Sequence, residues 1–218
     1  MPLELHRITS PDDFETFSTI QLAAFASGGG IAALLSPDLD SKETQEKYVE
    51  RHIQSWRDEP DVVYLKVVDT DIEGGKMIAG AKWRINEKER SEEVVEKMYP
   101  KPQGKDLEKP AVVDFFAFLS RVRKQYMGTK PFCFLHILVT HPDHHRKGAG
   151  TMLLNWGISK ADSLGLPAFL ESSAMGRPLY ERLGFQAREV VTFDLKKYGL
   201  EGTDTNTVMI REPLSNTA

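Results

Sequence analysis

The chain has 218 residues, 40% hydrophobic and 28% charged, with a formal net charge of −4 and a single cysteine. That is enough apolar material for the core of one large domain, and the acidic balance argues against a nucleic-acid partner, which calls for a basic surplus. No stretch approaches the ~20 apolar residues of a membrane helix, no basic run leads into an apolar one near Met1, and a lone Cys133 has no disulfide partner, so a soluble, cytoplasmic protein without a membrane partner is expected.

In chain order, "LELHRI" reads as a short strand. A helix is predicted to follow from an N-cap at Ser10, with Pro11 at its first position, acids in the first turn, and Phe14, Phe17, Ile20, Leu22 and Phe25 near the helical repeat. Ser27–Gly30, "SGGG", reads as a hinge or a loop that lets a ligand come close. A second helix over 41–56 carries Tyr48, Val49, His52, Ile53 and Trp56 on one face. "DVVYLKVVD" and "KMIAGAKWRIN" flank the turn residues "TDIEGG" and predict a β-hairpin. Residues 89–98 and 112–126 look helical, and "PFCFLHILV" has the length and apolar content of a buried strand. The pattern from Gly148 to Leu164 is helical again, "AFLESS" is a strand, "GRPLYERLGF" a short helix ending at Gly184, and "AREVVTFDL" and "TNTVMIREP" close the chain as strands. No internal repeat or low-complexity linker divides this order, which predicts a single mixed α/β domain over residues 1–218.

The informative junction is "HPDHHRKGAGTML", where a strand ends at Thr140 and a helix starts near Gly148. The first N–H groups of a helix lack internal partners and lie at the positive end of its dipole, and glycine lets a phosphate approach the backbone, so such a turn suits an anion. Arg146 and Lys147 add mobile positive charge. A P-loop would need a lysine ahead of the hydroxyl and a longer loop, and a dinucleotide turn would need a third glycine. His141, His144 and His145 lack a Cys or carboxylate at zinc-site spacing, so no metal is expected. A pyrophosphate is the leading occupant, with a plain strand-to-helix turn under a basic cap as the bland alternative.

Taken together, "HHRKGAG" after a strand and "PLYERLGF" some thirty residues later resemble the GNAT superfamily of N-acetyltransferases, whose motifs are Gln/Arg-x-x-Gly-x-Gly/Ala and Leu-Tyr-x-x-Leu-Gly-Phe. "LESSAMGRPLYERLGF" is especially similar to fungal members, and one departure stands out: His145 occupies the usual Gln or Arg position. The resemblance implies the GNAT acyl-CoA N-acyltransferase fold, a mostly antiparallel mixed sheet flanked by helices, with the cofactor-binding core at about 132–186. It further implies acetyl-CoA as co-substrate, with Leu138, Val139 and Thr140 offering backbone groups to the pantetheine arm. His145, Arg146, Lys147, Gly148, Ala149, Gly150 and Thr151 would then surround the pyrophosphate.

Acetyl transfer to an amine needs a neutral amine, a stabilised oxyanion and a proton for the leaving thiolate. By resemblance Tyr180 takes the general-acid position, and a backbone N–H near Val139 serves the oxyanion. The strand also resembles that of arylalkylamine N-acetyltransferases, which carry two alternate histidines; here the first is Phe134 and the second His136. His136 is thus a candidate base, with a satisfied core histidine as the alternative, and simple alternation puts Phe134, His136 and Leu138 on one side, Leu135, Ile137 and Val139 on the other. Glu171 is a reserve base, or else a strand-end acid paired with Arg177 or Arg182. Lys82 and Arg84 read as a solvated face. Phe115, Phe116 and Phe118 read first as a packing face, while their helix and "FASGGGIAALL" are where the family builds an acceptor pocket. The expected reaction is acetylation of a primary amine on a small molecule, with transfer to a protein amine or a non-catalytic acyl-CoA-binding module as alternatives.

Overall fold

The computed structural model describes residues 2–35, 41–72 and 74–214. In chain order the elements are β1 (Leu3–Arg7), α1 (Asp13–Gly28), α2 (Gly30–Leu35), α3 (Lys42–Asp58), β2 (Val62–Asp69), β3 (Lys76–Asn86), α4 (Glu92–Met98), α5 (Pro110–Tyr126), β4 (Phe132–Thr140), α6 (Ala149–Leu164), β5 (Ala168–Ser173), α7 (Arg177–Arg182), β6 (Gln186–Asp194) and β7 (Thr203–Arg211). The order is the expected one, with the short α2 added. The seven strands form one sheet in the order β1-β2-β3-β4-β5-β7-β6. Only β4 and β5 run parallel; every other neighbouring pair is antiparallel.

Helices cover both faces because the strands alternate apolar residues towards each. On one face, α6 and α7 pack Leu153, Leu154, Ile158 and Tyr180 against Leu65, Trp83, Cys133, Leu135 and Leu170. The Trp83 indole donates to the Leu153 carbonyl at 3.3 Å, and a Cβ on Gly157 would collide with that ring, so the glycine lets α6 lie close on β3. On the other face, α1 and α3 cover the β1–β4 half through Phe14, Phe17 and Ile20. There α5 and α2 cover the β4–β6 half, with Phe118 and Val122 against Phe132, Phe134 and Phe169. Each such fully buried side chain stabilises the fold by about 1.5–3 kcal/mol.

Three local expectations are corrected. Ser10 and Pro11 form a turn, with Phe14 N–H bonded to the Pro11 carbonyl, and α1 starts at Asp13 after an N-cap at Asp12. The Ser27–Gly30 break carries positive φ at Gly29 and Gly30, but what comes close to Gly30 is the Asp204 carboxylate, which accepts the Ile31 N–H at 2.9 Å. In the 70–75 turn, Glu73 lies outside the described residues.

The third correction shapes the site. The register between β3 and β4 pairs Lys82 with Ile137 and then Trp83 with Leu135, leaving His136 as an extra residue in a β-bulge. Alternation therefore breaks at His136. Phe134 and His136 do share a side, their rings stacked with centroids 5.2 Å apart. Leu138, however, packs on the α6 side, and Ile137 and Val139 pack towards α1 and α3.

Candidate active site

Parallel pairing of β4 with β5 runs from Cys133–Ala168 to Leu135–Leu170 and stops there. Beyond it the strands diverge, and from His136 to Thr140 the β5-facing edge of β4 has no strand partner among the described residues. Free N–H and C=O groups on a splayed edge are what an extended amide-bearing chain can pair with. Leu138, Val139 and Thr140 belong to this stretch of β4; the His141 N–H bonds the Ile78 carbonyl of β3, so by alternation Leu138 and Thr140 turn their backbone groups to the open edge.

The edge leads into the turn before α6. Gly148 caps the helix with φ +94°, a conformation that disfavours any side chain, and Arg146 is the one described non-glycine residue with positive φ. The N–H groups of Ala149, Gly150 and Thr151 open the helix and have no intrahelical acceptor. Around them the side chains differ in freedom. His145 Nε2 lies 3.1 Å from the Thr140 carbonyl, so this ring braces the turn. Lys147 Nζ is 3.1 Å from the buried Asp69 carboxylate and 3.3 Å from His144 Nδ1, while Arg146 is exposed. Among the described residues no group of three or more His, Cys, Asp and Glu is placed to hold a metal ion.

Helix α7 lies against the start of α6: a Cβ on Gly150 would sit 3.5 Å from Leu179 Cδ2. The next residue, Tyr180, is largely buried against Phe185, and its hydroxyl has no hydrogen-bond partner among the described residues. Burial raises its pKa, so the phenol stays protonated through the physiological range.

On the opposite face a cleft is floored by Phe132, Phe134 and His136 and walled by Arg84, Arg90, Arg123 and Tyr99. Expected solvated residues are buried here. Lys82 is 6% exposed and Arg84 is mostly enclosed, paired with Asp61 at 2.8 Å and with Glu59. Their strand alternates towards α3 rather than towards water, which the pattern of β3 by itself does not distinguish. Burial lowers the Lys82 pKa to about 8 and the Arg84 pKa to about 10. Glu171 pairs with neither Arg177 nor Arg182. Its carboxylate takes both Nε and Nη2 of Arg123, at 2.7 and 3.1 Å, and both side chains are buried; Arg177 instead holds Glu181. Arg123 in turn stacks over Phe134 at 4.8 Å.

His136 is open to solvent in this cleft and makes no hydrogen bond among the described residues. Its pKa is held well below the usual value, first by the enclosing protein and then by Lys82, Arg123 and Arg84. Because solvent reaches the ring, the cations are the more durable part of that effect. Of the expected acceptor-pocket elements, α2 and the phenylalanines of α5 pack into the core, and only the Arg123 end of α5 lines the cleft.

The acetyltransferase (GNAT) family model matches residues 30–185. The chain belongs to the GNAT family of acetyltransferases. Acetyl transfer from acetyl-CoA is the chemistry of that family, and the matched residues 30–185 include the free β4 edge and the Gly148 turn. Solved structures of the same fold include histone acetyltransferase HPA2 and related acetyltransferase from Corynebacterium glutamicum, 18% identical over the whole of both chains with a TM-score of 0.63. An agmatine N-acetyltransferase is 12% identical over 97% of this chain and 100% of its own, with a TM-score of 0.67. Naa20 of Chaetomium thermophilum, solved with a bisubstrate analogue, is 12% identical over 96% of this chain and 86% of its own, with a TM-score of 0.56. At these identities the likeness is one of fold. A curated relative, "Probable acyltransferase SID5" of Ajellomyces capsulatus, is 37% identical over 41 residues, 19% of this chain; the match spans under a third of that relative, 30%. No helix among the described residues is long and apolar enough to cross a membrane.

Proposed function

We propose that this GNAT enzyme acetylates a primary amine on a small molecule by direct attack of the amine on the thioester, as one catalytic unit over residues 1–218 with its cofactor-binding core at about 132–186. The observation that carries the reading is the wedge beyond Leu135–Leu170, which opens towards a walled, cationic cleft on one face and has α7 with its unpartnered phenol on the other. A walled cleft of this kind favours a small acceptor over a protein surface.

Along Leu138, Val139 and Thr140 the outward backbone groups pair with the pantetheine arm, and the N–H groups of Gly148, Ala149, Gly150 and Thr151 take the pyrophosphate at the helix N-terminus. Arg146 is free to reach the phosphates, Lys147 does so on leaving Asp69, and His145 holds the turn in shape. Acetyl-CoA supplies an activated acyl group and a thiolate leaving group. The chain's own residues handle the protons. An ammonium entering the cleft meets Lys82, Arg84 and Arg123, whose field favours the neutral amine needed for attack. His136, neutral and unpartnered, accepts the amine's proton directly or through water and passes it to solvent. Tyr180 donates to the departing sulfur. Glu171 anchors Arg123 and is not free as a base unless that pair opens.

The test is release of CoA thiol from acetyl-CoA against a panel of amines, amino acids and short peptides with an amine-free blank. Turnover of small amines above the blank is expected, whereas turnover of peptides alone would favour a protein acceptor. Tyr180→Phe is expected to lower kcat about a hundredfold with the acetyl-CoA Kd unchanged. Full turnover by that variant would remove the phenol from the mechanism.

A further inference from the structure

The cations of the cleft are unequally paired. Arg84, Arg90 and Arg123 line it, Lys82 acts on His136 from outside that lining, and Glu92 and Glu96 act on Tyr99 only through space. Arg84 holds Asp61 and Glu59, Lys82 reaches Glu59 at 3.8 Å, and Arg123 has Glu171 as a bidentate partner. Arg90 has no carboxylate partner among the described residues. Its Nη1 meets the Met98 sulfur at 2.8 Å, its Nη2 donates to the Gly128 carbonyl at 3.2 Å, and its Nε is buried without any partner. The guanidinium lies 4.7 Å over the Phe132 ring and lines the cleft beside Tyr99, whose hydroxyl also lacks a partner among the described residues. A part-buried cation whose direct contacts are a thioether, a carbonyl and a ring, with the Asp61 carboxylate acting on it only through space, gains from an anion that reaches it.

Resting on the reading that this cleft receives a small amine, we propose that the acceptor also carries a carboxylate, bound by Arg90 and Tyr99 at the end of the cleft away from His136. The geometry sets a length. Phe132 beneath Arg90 and His136 are four residues apart on β4, but the bulge shortens the run to between three and four strand rises, about 10–13 Å. A hydrogen bond of about 3 Å at each end leaves about 4–7 Å between the amine and the carboxylate. That separation is too long for an α-amino acid reacting at its own α-amine and suits an ω-amino acid or the distal amine of a diamino acid. An acceptor of this kind would also orient its amine towards His136, because the two ends of the site bind unlike groups.

The experiment compares kcat/KM for a series of ω-amino acids of increasing length with n-alkylamines of equal carbon number, using the purified protein and acetyl-CoA. The ω-amino acids are expected to be preferred by about tenfold to a hundredfold, the gain of one charge-assisted hydrogen-bonded pair, with an optimum in chain length. In R90Q the ratio of the two series is expected to fall towards one, mainly through KM for the carboxylate-bearing acceptors, and R90K is expected to restore part of it. Alkylamines used as well as the matching ω-amino acids, or an R90Q ratio equal to that of the parent, would overturn the carboxylate site while leaving amine acetylation standing. Turnover of neither series, by protein that binds acetyl-CoA, would overturn the small-amine reading and the carboxylate site with it. The parent protein's ratio decides the point even if R90Q does not fold.

Discussion

Two histidines, His52 on α3 and His136 on β4, have pKa values shifted in the same direction for overlapping reasons, yet their surroundings give them opposite uses. His52 is 6% exposed between Phe14, Phe17 and Tyr64, and both ring nitrogens are engaged: Nε2 lies 2.7 Å from Gln21 Oε1 and Nδ1 2.9 Å from the Tyr64 hydroxyl. A neutral imidazole satisfies both, donating to the amide oxygen and accepting from the phenol. Burial, then Lys82 and Arg51, lower its pKa to about 3. His136 is also kept neutral, but it stacks on Phe134 in an open cleft with its nitrogens unpartnered among the described residues. A depressed pKa by itself does not single out a site residue; a depressed pKa with free valence facing a cleft makes His136 the candidate of the two.

The sharpest way to break this contrast is substitution. His52→Leu strands the Tyr64 hydroxyl and the Gln21 amide in the core and is expected to cost about 2–4 kcal/mol of stability, read by denaturant unfolding. His136→Ala removes no hydrogen bond and is expected to cost less than about 1 kcal/mol while lowering kcat about a hundredfold. Reversal of the two results would exchange the roles. A smaller effect appears in pH. Between the ordinary histidine value near 6.5 and the folded value of about 3, the unfolded chain holds a proton on His52 that the native state refuses, so stability falls as the pH falls through this window. The slope is about 1.4 kcal/mol per pH unit from this residue, and His52→Gln is expected to flatten it in melts taken across pH 3–7.

The two histidines also show what the chain discloses before folding. Helix and strand identities were legible because each long element carries a clear period or apolar run, and the Gly148–Gly150 turn with "PLYERLGF" was legible because glycine, cap and motif act locally. His136 was readable as the titratable residue of an apolar strand. Its bulge was not, since an extra residue in β4 is defined only by pairing with β3. Nor was the cation cluster: Lys82 and Arg84 alternate with Trp83 and Ile85 as any solvated face does, and only the packing of α3 and the carboxylates of Glu59 and Asp61 make them interior. Glu171 was misassigned to neighbours in sequence because its partner, Arg123, comes from a helix 48 residues earlier. The Gly29–Gly30 break likewise answers to a distant carboxylate, Asp204, and not to a ligand.

The smallest expected effect tests the one element the two sites share. Lys82 acts electrostatically on both rings, with its own ammonium 5.6 Å over the Tyr64 ring that His52 also touches. Lys82→Met removes that charge while Arg84 keeps Glu59 paired. Both histidine pKa values are then expected to rise, but the consequences differ. In the closed site a higher folded value narrows the window of proton exclusion, so the acid loss of stability shrinks by a few tenths of a kcal/mol. In the open site the acceptor amine meets a weaker positive field and holds its proton more firmly, so the acid limb of kcat moves to higher pH by about half a unit. A limb that stays in place in Lys82→Met, while the stability slope changes, would show that the field of the buried cluster reaches the core histidine without reaching the bound amine.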